Sequence, residues 1–444
     1  MKLENISLRN FRRYENARFH FHPQFTVLIG DNGKGKTTVL DAIAVMLGTY
    51  FLGSKIKTGQ SVLKKDDARL VIREIGGQVF FEPQKDVYLT AKAEVEGRPI
   101  EWRRDVGDRG GKAQQMWYQG VVARDKIVQG KDKDLPLLLY YGAGRLWDIH
   151  RNVTVEKPGS QLDAYRYCLD PKSDHKVFEK WFKKLSYTEL QKRQPIAALN
   201  AVKQAVLTCI PDAADFYHDT DQDQIIIKLD QEGWIPFNNL SDGYRNIVAM
   251  VADIAYRAAR LNPHFENEAA LKTVGIVLID EIDLHLHPKW QRSIVRDLQK
   301  AFPRLQFIAT THSPFILQSL DPGEVIDLNQ TALPDVIANA PENCAAPGPA
   351  DEYSNRSIED IVEEVMGVDV PQRSERYQQM YEAAKEYYRI LEQGNNTNPD
   401  LQQVLKRKLD QLSAPFSDNV AYHAFLEMER IAAGFGKSEP RDHQ

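Results

Sequence analysis

The chain has 444 residues, room for about two or three domains and a large core. Its 42% hydrophobic and 27% charged residues are those of an ordinary soluble globular protein, and a formal net charge of −5 speaks against a broadly basic nucleic-acid binder, a local patch aside. No apolar run approaches the ~18 residues that span a bilayer, no secretion signal follows Met1, and Cys168, Cys209 and Cys344 lack the spacing of a disulfide framework or zinc site, so a cytoplasmic protein without membrane association is expected.

The N-terminus alternates as "KLENISLRNFRRYENARFHFHPQFTVLIG" and predicts two or three short strands, the last of them the buried "FTVLI". The helical pattern "TTVLDAIAVMLG" follows. Residues 51–135 are polar and contain an alternating hairpin, "DVYLTAKAEVEGRPIEWRRD", with its turn at Glu96-Gly97. "LPLLLYYGAGRLW" is a further buried strand running into a glycine-containing loop. Residues 160–210 read as helices, and "QIIIKLD" returns to strand. "VGIVLID" and "LQFIATTHSP" are strands separated by the helix "PKWQRSIVRDLQKAF", an alternation that implies βαβ units and a parallel sheet. The expected division is an N-terminal lobe over 1–150, a mainly helical insertion over 151–235, a second lobe over 236–330, a linker over 331–355 rich in Ala, Pro and Asn, and a charged helical region over 356–444.

"GDNGKGKT" matches G-x-x-x-x-G-K-[ST], with a strand before it and a helix after it as the motif requires. Gly30, Asp31, Asn32, Gly33, Lys34, Gly35, Lys36, Thr37 and Thr38 would cradle the phosphates of ATP with their backbone N–H groups. Lys36 would reach the β- and γ-phosphates, and the Thr37 hydroxyl would ligate Mg²⁺. The second half of the site is Asp280-Glu281, at the C-terminal end of an apolar strand, where open α/β sheets bind ligands. Asp280 would hold Mg²⁺, and Glu281 would take a proton from the attacking water. His312 ends another apolar strand and is placed to hydrogen-bond the γ-phosphate. His285 and His287, with no third ligand nearby, are expected to shape the loop after the acidic pair. The remaining element is "LSDGYR", a helix start with Ser241 as its N-cap, roughly 200 residues after the phosphate loop.

Taken in that order, phosphate loop, Leu-Ser-x-Gly helix start, acidic strand and histidine strand resemble the ATP-binding-cassette class of ATPases. "ISLRNFRRYENARFHF" before "LIGDNGKGKTTVLDAI" places the resemblance in its RecF and SMC branch. The expected fold is α/β, an ABC-type ATPase head with a mixed parallel sheet, a flanking antiparallel sheet, a helical insertion and a helical C-terminal region. The class implies a head-to-tail homodimer, or a higher even-numbered oligomer, that buries two ATPs. Ser241 and the Gly243 N–H of one subunit then cap the γ-phosphate held by the other, and Asp283 meets the partner. The chain departs from the class in having Asp242 for a glycine and Tyr244 for a glutamine, and in offering no glutamine where the class contacts Mg²⁺ and water.

"YYGAGRLW", "LIDEIDLHLHPKWQ", "ATTHSPFIL" and "RSIEDIVEEVMGVDV" are similar to small bacterial ATPases of Septu-type anti-phage defence systems. That resemblance implies a partner nuclease subunit of the HNH type, with DNA contacted through the complex. The ~130 residues after His312 lack the spread acidic constellation of a two-metal nuclease, so no nuclease activity is expected in this chain. A RecF-like, ATP-dependent DNA-binding clamp is the alternative.

Overall fold

The N-terminal alternation folds as a hairpin of β1 (Lys2–Phe11) and β2 (Tyr14–His20), and "FTVLI" is β3 (Phe25–Ile29). The polar stretch that follows contains two hairpins where the sequence pattern predicts one. The additional pair is β4 (Leu70–Ile75) and β5 (Gln78–Pro83), joined through Gly76 and Gly77 at φ 62° and 77°, a two-residue turn that only such left-handed residues close without strain. The expected hairpin is β6 (Tyr88–Val95) and β7 (Arg98–Asp105), turning at Glu96 and Gly97. Strands β2, β1, β6 and β7 form one antiparallel sheet in that order.

The apolar runs of the sequence make a second sheet. β8 (Leu137–Tyr141), β12 (Gly275–Ile279) and β13 (Leu305–Thr310) are, like β3, buried at every position. With β14 (Val325–Asp327) they align as β14-β3-β13-β12-β8, every pairing parallel. A parallel sheet covered on both faces has no polar side, which is why these strands read as unbroken hydrophobic runs. Helix α1 (Lys36–Gly48) lies between the two sheets, touching β12 and β13 as well as β6. That position explains why the helix is apolar on every face after its first turn, Asp41 apart, with Leu40, Ile43, Ala44 and Leu47 fully buried. Trp102 of the antiparallel sheet donates its indole N–H to the Met46 carbonyl (3.1 Å) and ties the layers together.

Helices α2 (Gln114–Val128), α3 (His175–Lys192), α4 (Ala197–Cys209) and α5 (Asp242–Leu261) complete the body, with α5 packed on β8, α3 and α4. Among the described residues of the segment 151–235, the α-helices end at Cys209. Beyond it, β9 (Ala213–Asp219), β10 (Gln224–Leu229) and β11 (Gly233–Pro236) form a three-stranded antiparallel sheet leading into α5.

This computed structural model describes residues 1–329 apart from 55, 60–61, 108–110, 146–158, 173–174 and 211, then 353–364 and scattered positions between 379 and 431. The chain divides into the units Met1–Ile361 and Val362–Gln444. In the second, buried Tyr387 donates its hydroxyl to the Leu426 carbonyl (3.2 Å). Most of the linker expected over 331–355 and most of the helical region expected over 356–444 lie outside the described residues. No helix among the described residues is long and apolar enough to cross a membrane.

Where β12 starts, the backbones of two strands meet with no room for a side chain. A Cβ on Gly275 would stand 1.9 Å from the Leu137 carbonyl oxygen of β8. Gly275→Ala should therefore push β8 off β12 and cost about 3 kcal/mol, read as a lowered denaturant midpoint. An unchanged midpoint would contradict this account of the pairing.

Candidate active site

Parallel strands bring their C-terminal ends to one edge, and the chemistry-bearing residues collect there. In register, Ile279 lies between Ala309 and Tyr141, and Thr310 lies beside Leu28. The loops leaving β3, β12, β13 and β8 are therefore neighbours, although they come from four distant parts of the sequence.

The loop between β3 and α1 is braced from both sides. Gly35 has φ 95°, and a Cβ there would stand 2.5 Å from Arg13 Cδ and 2.8 Å from the Tyr14 hydroxyl, so glycine is required twice over. That hydroxyl donates to the Lys34 carbonyl (2.9 Å). On the other side the Asn329 side chain accepts the Asp31 N–H (3.2 Å). Lys36, first residue of α1, returns its ammonium to the carbonyls of Gly30 (2.6 Å) and Asp31 (3.2 Å). Burial lowers its pKa from the ordinary lysine value, against the raising pull of the Asp280 carboxylate. Asp31, Asn32, Gly33 and Thr37 are exposed, Thr38 is half-buried, and the loop stands open to a ligand. Asp41 fixes α1 itself by accepting from Arg12 (2.5 Å) and from the Tyr140 hydroxyl (3.0 Å).

Asp280 is buried beside that loop, and both its oxygens are used. One accepts from the Thr37 hydroxyl (2.9 Å), the other from the Thr310 hydroxyl (2.7 Å). The Thr310 hydroxyl in turn accepts the Glu281 N–H (2.7 Å). Thr37 and Asp280 thus present two hard oxygen donors side by side, which fits Mg²⁺ held by few protein ligands. Glu281 itself adopts φ 52°, a left-handed conformation that costs a non-glycine residue roughly 1–2 kcal/mol. Thr310 on its N–H and Arg145 on its carbonyl (2.9 Å) hold it there.

Arg145 and Thr310 carry no predicted role, yet both shape the acidic pair. "YYGAGRLW" lacks the glutamine that the class places after this strand. Instead Arg145 turns inward and donates to the carbonyls of Asp280 (2.7 Å), Glu281 (2.9 Å) and Gly142 (3.3 Å) and to the Asn246 side chain (2.7 Å). Burial pushes this guanidinium down to about 10, so it stays charged at neutral pH.

Asp283 is half-buried and accepts from the Thr311 hydroxyl (2.5 Å) and the His312 N–H (3.4 Å), which joins the loop after the acidic pair to the end of β13. The His312 side chain is exposed at that edge. His287 caps the helix Pro288–Gln291 by accepting the Lys289 N–H (3.2 Å). Among the described residues, no His, Cys, Asp or Glu cluster of three or more is arranged to hold a metal.

Ser241 stands at the N-cap of α5, but its hydroxyl makes no capping bond, contrary to the expected serine cap. Its side chain is exposed and the helix start keeps its unpaired N–H groups. Asp242, a puzzling charge at a phosphate-binding end, is paired with Arg245 one turn along. Tyr244, in the glutamine's place, packs edge-on against Trp290. Gly243 is pressed against the loop after the acidic pair, where a Cβ would stand 2.4 Å from the His285 carbonyl oxygen. Among the described residues no hydrogen bond joins Ser241–Gly243 to the phosphate loop.

Comparison with known proteins places this geometry in a class. A family model described as "AAA domain" matches residues 5–213, and one described as "AAA domain, putative AbiEii toxin, Type IV TA system" matches 145–318. Between them these AAA-domain models match residues 5–318, and the chain is an ATPase. It is 27% identical over 389 residues to the "Retron Vc95 probable ATPase" of Vibrio cholerae serotype O1 biovar El Tor, covering 74% of each chain. To the "Retron Ec83 probable ATPase" of Escherichia coli it is 26% identical over 402 residues, 72% of this chain and 70% of that one. To the "Septu protein PtuA" of Bacillus thuringiensis it is 26% identical over 404 residues, 88% of this chain and 90% of that one.

Thr310→Ala removes one hydroxyl that serves both acidic residues. Turnover of ATP should fall roughly ten- to hundredfold through misplacement of Glu281, at a stability cost of about 1–2 kcal/mol. Steady-state hydrolysis and thermal melting on the same sample test this, and wild-type turnover would contradict it.

Proposed function

We propose that the chain is the ATP-binding and ATP-hydrolysing sensor subunit of an anti-phage defence complex. In this reading it dimerises head-to-tail around two ATPs and controls a separate nuclease subunit of the HNH type. The observation that carries the proposal is the linked set Thr37, Asp280, Thr310 and Glu281, in which a phosphate-loop hydroxyl and two strand ends converge on one buried carboxylate.

ATP would lie in the loop from Gly30 to Thr38, its phosphates on the backbone N–H groups and the start of α1. Lys36 would exchange the Gly30 and Asp31 carbonyls for the β- and γ-phosphates. Thr37 and Asp280 would hold Mg²⁺, which supplies charge neutralisation at those phosphates. The Glu281 carboxylate would accept the proton of the water attacking the γ-phosphorus as the bond to the leaving ADP oxygen breaks. His312, exposed beside it, would hydrogen-bond the γ-phosphate.

Dimerisation is supported by the uncapped start of α5. Exposed Ser241 and the helix N–H groups beside it would form an anion site, and neighbouring Gly243 lies against the loop after the chain's own acidic pair. A second subunit's γ-phosphate satisfies it, in a symmetric arrangement. The Arg245 partner of Asp242 keeps that residue from repelling the phosphate. The defence role is supported by the likeness to the retron ATPases and to Septu PtuA over most of the chain.

Glu281→Gln should abolish hydrolysis by about 10²- to 10⁴-fold while retaining ATP, and should run as a stable dimer with ATP in light scattering. Hydrolysis at the wild-type rate would refute the base assignment. Pull-down from the native locus should bring along a small nuclease. Recovery of DNA with no protein partner would favour the RecF-like clamp instead.

A further inference from the structure

We infer that Arg145 and Asn246 form a joint that reports the seating of ATP on this chain's signature helix to this chain's own Glu281, and so makes the two ATP sites of a dimer interdependent. The inference rests on the head-to-tail reading above, in which Ser241 of a chain caps one ATP while its Glu281 acts on the other.

The joint is continuous and buried. Asn246 sits on α5 just after the signature, with its side chain 3% exposed in contact with Arg145. Its oxygen accepts from Arg145 Nε (2.7 Å), and its nitrogen donates to the Leu284 carbonyl (2.9 Å), in the loop that follows Glu281. Arg145 spends its remaining N–H groups on the carbonyls of Gly142, Asp280 and Glu281. A planar guanidinium with its fork engaged on one side and its Nε on the other cannot follow α5 without dragging the backbone of the acidic pair. Glu281 is the residue most sensitive to such a pull, because it is held at φ 52° by those contacts.

Helix α5 is also built as a rigid lever. About two turns after Asn246, on the same face, Asp253 accepts from the Tyr141 hydroxyl (2.7 Å) at the end of β8 and pairs with Arg257 (2.9 Å). Arg257 continues to the carbonyls of Ala164 (2.6 Å) and Arg166 (3.1 Å). The helix is thus pinned to β8 below, and its signature end abuts the His285 carbonyl. A displacement at Ser241 and Gly243 has its shortest polar route into the site through Asn246 and Arg145, making both of them positioning residues.

The test compares wild type, Asn246→Ala, Arg145→Ala, Arg145→Lys and Glu281→Gln by ATP dependence of turnover and by binding of a fluorescent ATP analogue. Asn246→Ala should bind nucleotide within about threefold of wild type, lose about tenfold in turnover at saturating ATP, and lose the sigmoidal dependence on ATP, its Hill coefficient falling to one. Arg145→Ala should lose roughly a hundredfold in turnover with little change in nucleotide affinity, and Arg145→Lys, whose single ammonium reaches one carbonyl, should recover part of it. Should Arg145→Ala fail to fold, Asn246→Ala decides. Wild-type turnover and cooperativity in Asn246→Ala, with Glu281→Gln inactive, would overturn the joint alone. Wild-type turnover in Glu281→Gln would overturn the functional reading and the joint with it.

Discussion

A single carboxylate organises this molecule. Asp280 is placed by a fully apolar strand into a position where the residue is 6% exposed, and an unpaired carboxylate there would cost several kcal/mol. Two hydroxyl donors, Thr37 from α1 and Thr310 from β13, offset that cost at about 1.5–3 kcal/mol each. In doing so they fix the phosphate loop, the acidic strand and the histidine strand relative to one another. Everything else at this edge is arranged around that triangle: Lys36 over the loop carbonyls, Glu281 bent into a left-handed turn, and Asp283 bracing the end of β13.

The same triangle explains why the layers are as they are. Thr37 can reach Asp280 only if α1 lies against β12 and β13, so from Val39 onward α1 loses its solvent face and is apolar apart from the paired Asp41. The antiparallel sheet then covers the other side of α1, and its β1–β2 turn presses Arg13 and Tyr14 onto Gly35. The phosphate loop is a glycine-dependent turn held by elements that also bury a helix.

Much of this was legible because its signals are local. The phosphate loop, the acidic pair and the buried strands each announce themselves within about ten residues, through glycine spacing or an unbroken apolar run. Arg145 and Asn246 were not legible, since they lie 101 residues apart in sequence and nothing nearby marks either as a partner. Ser241 misled in a smaller way, because the N-cap preference of serine is a tendency that the local backbone here does not use. The β4–β5 hairpin was missed within a stretch read as polar. Leu70, Ile72, Val79 and Phe81 share one face, since Leu70 opposes Pro83 and Ile72 opposes Phe81, yet each is more than half exposed. Apolar alternation predicts a strand reliably, while which side is covered depends on neighbours that the pattern does not contain.

The central claim is that the signature of one subunit closes on the phosphate loop of another. The direct measurement is crosslinking between two chains that each add one exposed cysteine, one carrying Asn32→Cys and the other Ser241→Cys, both with Glu281→Gln and Cys344→Ser; the remaining Cys168 and Cys209 are buried. ATP with Mg²⁺ should produce a crosslinked heterodimer joining the two different chains, and nucleotide-free protein should not. An ATP-independent crosslink, or no crosslink between chains while a chain carrying both cysteines closes on itself, would contradict the shared site.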